Sequence, residues 1–221
     1  MNSRLLSIAL GAGLSYVLIF YLVWSGSASP TDIELFSSLN GLATNPGIAV
    51  LSSIMTQFGS EVILGLIGLL FYLLSSKENT QVLIGVLFAI TVSDLVLSIL
   101  KGAYFRPRPY QLLSGVPLPI GQDEASSFPS GHATRAFAVA ALITMQKGKK
   151  YLPLLVLSAG VAVSRIIIGL HFPSDVLAGA FLGIFLAVIS VIFLSKYVNP
   201  RLPPRFFEKG KQDMALKSAP A

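Results

Sequence analysis

The chain has 221 residues, of which 53% are hydrophobic and 12% charged, with a formal net charge of +6 and no cysteine. A soluble domain of this size needs more polar surface than that composition supplies, so the chain requires lipid as its solvent. Without cysteine there are no disulfides, thiolate nucleophiles or thiolate metal ligands, and the positive charge reads as membrane topology rather than nucleic-acid binding.

Six apolar runs, over residues 5–24, 62–74, 82–100, 134–145, 152–168 and 176–194, are candidates to cross a hydrocarbon layer. Such a layer is roughly 30 Å thick and takes about 20 helical residues. The second and fourth runs are short, and extend outward through Ser60 and Ser130, small polar residues that neighbouring helices can bury. The first run follows Arg4 and lacks a convincing cleavage site, so it reads as a retained span rather than a signal peptide. Between Pro30 and Pro46, the residues Ile33, Leu35, Phe36, Leu39 and Leu42 follow Thr31 and Asp32. They predict a short amphipathic helix lying in the interface, or alternatively a packing lid. Residues 48–55 are too short to span and break at Gln57, Phe58 and Gly59, joining either the interfacial segment or a re-entrant turn. The expected fold is all-α: a six-transmembrane-helix bundle with a short interfacial amphipathic helix after the first span. It forms one domain over 1–198, followed by a flexible basic cytoplasmic tail over 199–221.

With six spans and an inside amino terminus, Arg4, Lys77, Lys147, Lys149, Lys150, Lys196 and the tail cations fall on the cytoplasmic side. Both termini are then cytoplasmic. The opposite face keeps Lys101, Arg106, Arg108, Arg135 and Arg165, drawn from segments far apart in sequence. Cations that break the topological bias near helix ends are candidates for binding an anion at the membrane surface.

Three clusters meet at that non-cytoplasmic face: KGAYFRPRP from Lys101, PSGH from Pro129, and SRIIIGLHFPSD from Ser164. Lys101, Arg108 and Arg165 would repel one another without an anion, and guanidinium forks match phosphate oxygens. Ser130 and the amides around Gly131 stand where the fourth span begins, and a helix amino terminus attracts anions; ordinary capping by Ser130 is the alternative. Pro173 suits the first turn of the last span and places Asp175 near His171. A carboxylate there fixes the imidazole tautomer and frees the other nitrogen to attack phosphorus, giving a phosphohistidine. His132 is then the group that protonates the leaving oxygen and later activates water.

These clusters resemble the signature of the type 2 phosphatidic acid phosphatase superfamily, shared with vanadium-dependent haloperoxidases: K-x6-RP, PSGH and SR-x5-H-x3-D. Lys101, Arg108, Pro109, Pro129 to His132, Ser164, Arg165, His171 and Asp175 match it in order. The resemblance implies phosphate contacts from Lys101, Arg108, Ser130, Gly131 and Arg165, attack by His171, orientation by Asp175 and acid catalysis by His132. It also implies no metal and no cofactor.

The expected activity is therefore that of a cell-membrane lipid phosphatase whose partners are its lipid phosphate or diphosphate substrate and the surrounding membrane lipids. A polyprenyl diphosphate is the first choice of substrate, ahead of phosphatidate or phosphatidylglycerophosphate, and then of phosphate transfer to another lipid. A lipid transporter or receptor is the non-enzyme alternative, and it would carry its polar residues across the midplane instead of at one face. Arg106 and Arg135 are read as contacts for a second phosphate or as headgroup-facing residues. Asp94 either bonds a neighbouring helix or supports the site cations, Glu61 has no assigned role, and Tyr104, Phe105 and Tyr110 form interfacial aromatic packing or, alternatively, line a tail groove.

Overall fold

A computed structural model describes residues 3–74, 80–118 and 126–198, so Lys77 and the tail expected over 199–221 lie outside the described residues. The described residues contain no strand. Nine α-helices follow in order: α1 (Ser3–Trp24), α2 (Ser29–Asn40), α3 (Pro46–Gln57), α4 (Glu61–Leu73), α5 (Thr80–Ala103), α6 (Pro109–Leu112), α7 (Gly131–Lys147), α8 (Pro153–Ile167) and α9 (Pro173–Phe193).

Long apolar runs become α1, α5, α8 and α9, each long and apolar enough to cross a membrane when the short turns at 149–151 and 194–198 are counted with α8 and α9. A fifth span results if α3 and α4, bent by 59° at their junction, count as one. The sequence predicts six, and the difference is α7, which is only 17 residues long. At about 1.5 Å per residue it reaches about 25 Å. Its neighbours explain why it is short and rich in Ala and Thr: α4, α5, α8 and α9 pack around it and bury it along most of its length. A helix shielded by protein needs no lipid-facing apolar surface.

Helix α7 lies tightest against α9, where Gly179 and Gly183 stand one turn apart. A Cβ at Gly179 would come within 2.6 Å of the Ser130 carbonyl, and one at Gly183 would collide with the Thr134 carbonyl. Only glycine lets the two backbones approach this closely. Helix α1 packs on the other side of α9 through buried Leu5, Ala9, Ala12 and Val23.

The segment at 45–60 is ordered by its caps. Asn45 Oδ1 accepts from the Gly47 amide at 2.9 Å, Pro46 opens α3, and Ser60 Oγ accepts from the Ile63 amide to start α4. The elbow at Phe58–Ser60 presses on α7: a Cβ at Gly59 would meet Val161 at 2.7 Å and the His132 Cβ and carbonyl at 3.0 Å. Helix α2 also forms where expected, but its buried face is Asp32, Phe36 and Asn40, while Ile33 and Leu35 are exposed.

The bundle has two distinct ends. Leu5, Val82, Met145, Val191 and Leu194 share one apolar cluster, so the amino ends of α1 and α5 meet the carboxyl ends of α7 and α9. At the opposite end Phe36, Ala133, Ile166, Phe172 and Val176 cluster beneath α2, and all three sequence motifs gather there.

Candidate active site

Each motif reaches the site by a different local device. Lys101 stands in the last turn of α5, and its Nζ donates to the Ser126 carbonyl at 2.8 Å. The chain then runs beside 126–128: the Arg106 amide donates to Ser126 Oγ at 3.0 Å and the Ser127 amide to the Arg106 carbonyl at 2.9 Å. This pairing turns Arg108 inward, where it is fully buried.

Ser130 occupies the N-cap position of α7, yet its hydroxyl makes no capping bond; Ser130 Oγ is buried without a hydrogen-bond partner among the described residues. A buried hydroxyl left unmade is costly, so a ligand oxygen is the natural partner. The Ser130 amide donates to the Asp175 carbonyl at 3.0 Å and ties the second motif to the third. A Cβ at Gly131 would meet nothing closer than 3.5 Å, so packing does not demand glycine there and the open space belongs to the cavity.

Helix α8 ends at Ile167, whose carbonyl accepts from Asn40 Nδ2 at 2.7 Å, and Gly169 turns the chain with φ of +84°. A Cβ at Gly169 would sit 2.6 Å from the Pro117 carbonyl. Arg165, in the last turn of α8, is buried and donates to Thr56 Oγ1 of α3 at 3.1 Å. Two residues past the turn, His171 lies between two partners. Arg108 Nη1 approaches its Nε2 at 3.3 Å and donates to the Leu170 carbonyl at 2.9 Å, while Asp175 Oδ2 is 3.6 Å from its Nδ1.

A cavity of about 280 Å³ opens at this point. It is lined by Lys101, Arg108, Gly131, His132, Arg165 and His171, together with Asp94, Leu97, Ser98 and Arg135. Ser130 and Asp175 stand directly behind that wall. The eight residues singled out from the sequence therefore converge on one place. An arginine N–H can only donate, so this contact favours the tautomer in which Nε2 of His171 holds its lone pair toward Arg108 and the ring proton is on Nδ1, on the Asp175 side. Burial pushes the His171 imidazole well below its ordinary value, and the charges of Arg165, Arg108 and Lys101 push the same way. These effects favour the neutral form of the ring.

Two further arginines are held by carboxylates. Arg106 is not among the residues lining the cavity: it is buried, with Nη2 on Asp32 Oδ2 at 2.6 Å and Nη1 on Asp175 Oδ1 and on Ser174 Oγ. Burial opposes its charge, but Asp175 and Asp32 outweigh that and raise its pKa. Arg135 is also buried, pairing with Asp94 Oδ1 at 2.6 Å and Glu61 Oε1 at 2.8 Å across three helices. Asp94 thus bonds a neighbouring helix at the cavity wall, and Glu61 shares its partner. Of the aromatics, Tyr104 packs edge-on against Phe20 and Phe128, whereas Phe105 is exposed. Sequence reasoning gave no site role to Asp32 or Thr56; nothing in their local pattern separates them from an ordinary helix start or an ordinary helical threonine.

Residues 82–199, more than half of the chain, match the family model described as the PAP2 superfamily. The chain belongs to that family. Among PAP2 relatives, it is 30% identical over 167 residues to the Bacitracin transport permease protein BcrC of Bacillus licheniformis, covering 73% of this chain and 80% of that one. It is 31% identical over 161 residues to the Undecaprenyl-diphosphatase BcrC of Bacillus subtilis, covering 72% and 81%. The fold resembles that of Aquifex aeolicus LpxE, with a TM-score of 0.64, 28% identity, and coverage of 72% of this chain and 93% of that one.

Proposed function

We propose that this PAP2 protein is a multi-pass membrane hydrolase that cleaves a lipid phosphate, first of all a polyprenyl diphosphate to its monophosphate, through a phosphohistidine on His171. The observation that carries the reading is the buried His171, whose Nε2 lies 3.3 Å from Arg108 Nη1 at a cavity walled by Lys101, Arg108 and Arg165. A phosphoryl group held by those cations, by Ser130 Oγ and by the first amides of α7 would present its phosphorus to Nε2.

In the first step a bond forms from Nε2 to phosphorus as the bond from phosphorus to the bridging oxygen breaks. His132, on the cavity wall, gives that oxygen a proton. Negative charge spread over the equatorial oxygens meets the three cations and the α7 amino terminus, an electrostatic effect worth several kcal/mol per well-placed group. In the second step His132 takes a proton from water, whose oxygen attacks phosphorus and releases Nε2. The cations supply the charge that a metal ion would otherwise bring, so the reaction is expected to run in EDTA.

The polyprenyl diphosphate reading is supported by the name of the Bacillus subtilis relative. The transport function in the name of the other Bacillus relative does not favour a transporter here, because the buried charges gather at one end of the bundle. That end is the one opposite Arg4, Lys149, Lys150 and Lys196, which supports cytoplasmic termini, a site at the non-cytoplasmic face, six spans with α7 counted, and α2 lying in the interface. The test is phosphate release by purified, detergent-solubilised protein with EDTA present, from a polyprenyl diphosphate and from phosphatidate, beside His171→Ala. Release that survives EDTA and vanishes in the variant supports the reading and ranks the substrates. No release from either lipid by folded protein overturns it.

A further inference from the structure

Asp175 is fully buried, and its charge is already shared. Oδ1 takes the Arg106 guanidinium and Oδ2 takes the Phe172 amide at 2.8 Å, leaving His171 Nδ1 at 3.6 Å. An ion pair of Asp175 with Arg106 alone would be neutral overall. It would offer little to the imidazole at the moment when bond formation at Nε2 makes the ring cationic. The structure adds a second carboxylate from a helix outside all three motifs. Asp32, in the first turn of α2, is buried and receives Arg106 Nη2 at 2.6 Å, the Ser174 amide at 2.9 Å and the Ser174 hydroxyl. Arg106 also lies over the Phe172 ring at 4.6 Å, so its position is set on three sides.

We propose that Asp32 is a positioning residue for catalysis: it neutralises Arg106 so that the buried Asp32–Arg106–Asp175 group keeps one net negative charge beside His171. The inference rests on the phosphohistidine reading above. Asp32 touches neither substrate nor the attacking nitrogen, and acts through Arg106 on Asp175. Its charge is felt in the step that forms the Nε2–phosphorus bond, when the ring retains its Nδ1 proton and gains positive charge. It should matter little for binding, which belongs to Lys101, Arg108, Arg165 and Ser130. Docking of α2 is the plain structural alternative, since the same bonds hold that helix on α9.

The two roles predict different results when charge is restored without the contacts. Asp32→Asn leaves Arg106 and Asp175 as a neutral pair. Adding Arg106→Gln returns the group to one negative charge without restoring the ion pair that docks α2. The experiment measures phosphoenzyme formation by rapid quench into alkali, from a polyprenyl diphosphate labelled in its terminal phosphate, together with kcat, KM and the thermal midpoint in detergent. For Asp32→Asn the phosphorylation rate and kcat are expected to fall by about 10- to 100-fold, as for other outer partners that orient a histidine through a carboxylate, with KM within about threefold of wild type. The double variant is expected to recover about tenfold over Asp32→Asn, the coupling that a double-mutant cycle reports for residues in one network.

Wild-type phosphorylation by Asp32→Asn overturns the inference. So does a double variant that is slower than Asp32→Asn, or a loss of rate that follows the thermal midpoint across all variants, because each makes Asp32 a docking residue only. If wild-type protein releases phosphate but no phosphoenzyme is trapped, the phosphohistidine reading fails and the inference falls with it.

Discussion

Arg108 Nη1 stands 3.3 Å from His171 Nε2, so the guanidinium fork and the imidazole nitrogen meet at the wall of one cavity. Charge alone does not achieve this, because the guanidinium is also anchored by its bond to the Leu170 carbonyl at 2.9 Å. Lysine at 108 would keep the charge and lose the planar fork. Arg108→Lys is expected to lower kcat/KM by about 100- to 1,000-fold, the range for removing one well-placed transition-state donor. Phosphate-release kinetics on protein with an unchanged chromatographic profile checks it, and a loss below about tenfold would show that the fork is not engaged in the transition state.

The burial of His171 among cations carries a pH signature. Burial, then Arg165, Arg108 and Lys101, hold the folded imidazole well below the ordinary value near 6.5 that it has when unfolded. Below that ordinary value the unfolded chain binds a proton that the folded chain does not, so stability falls as pH falls. The contribution is fully present above pH ~6.5 and is lost progressively toward the depressed folded value. Measured in detergent from neutral pH downward, the thermal midpoint of wild type should therefore fall more steeply on acidification than that of His171→Gln. Parallel curves would mean that the folded imidazole titrates normally.

How far the sequence reveals the protein depends on which force sets each element. Helices α1, α5, α8 and α9 follow their apolar runs to within a few residues, because lipid demands apolar length and the runs provide it. Helix α7 is only partly legible, since a helix enclosed by protein no longer needs high hydropathy and its Ala and Thr residues reflect close packing instead. The elbow between α3 and α4 depends on what lies opposite Gly59, namely Val161 and His132, residues a hundred or so and seventy or so positions away. The three motifs were visible because chemistry fixes their residue types and spacing. The supports behind them were not: Asp32 reaches Arg106 and Thr56 reaches Arg165 across more than seventy and a hundred positions, with no periodicity to mark either.

The glycine pair on α9 ties stability to the site. A side chain at Gly183 would collide with the Thr134 carbonyl, and one at Gly179 would sit 2.6 Å from the Ser130 carbonyl, both of them backbone atoms that no rotamer change can relieve. Gly183→Ala is expected to cost about 1–3 kcal/mol, the usual range for overpacking a close interface. Gly179→Ala pushes on the start of α7, where Ser130 backs the cavity and His132 lines it, so its loss of kcat should exceed what its thermal midpoint predicts. Equal losses of stability and activity in the two variants would show that the amino end of α7 tolerates displacement.

The side of the membrane that the cavity faces can be read directly, because the chain lacks cysteine and any introduced thiol reports alone. Ser27, in the turn between α1 and α2, and Lys150, in the turn before α8, are both exposed and belong to opposite ends of the bundle. With Arg4, Lys149, Lys150 and Lys196 on the cytoplasmic side, Ser27→Cys should react with a membrane-impermeant maleimide in intact cells. Lys150→Cys should react only after permeabilisation. This orientation would let the lipid keep its tail in hydrocarbon while Lys101, Arg108 and Arg165 draw its phosphate to the outer surface. The opposite labelling pattern would place the cavity in the cytoplasm, and the positive residues at the far end of the bundle would then need a cause other than topology.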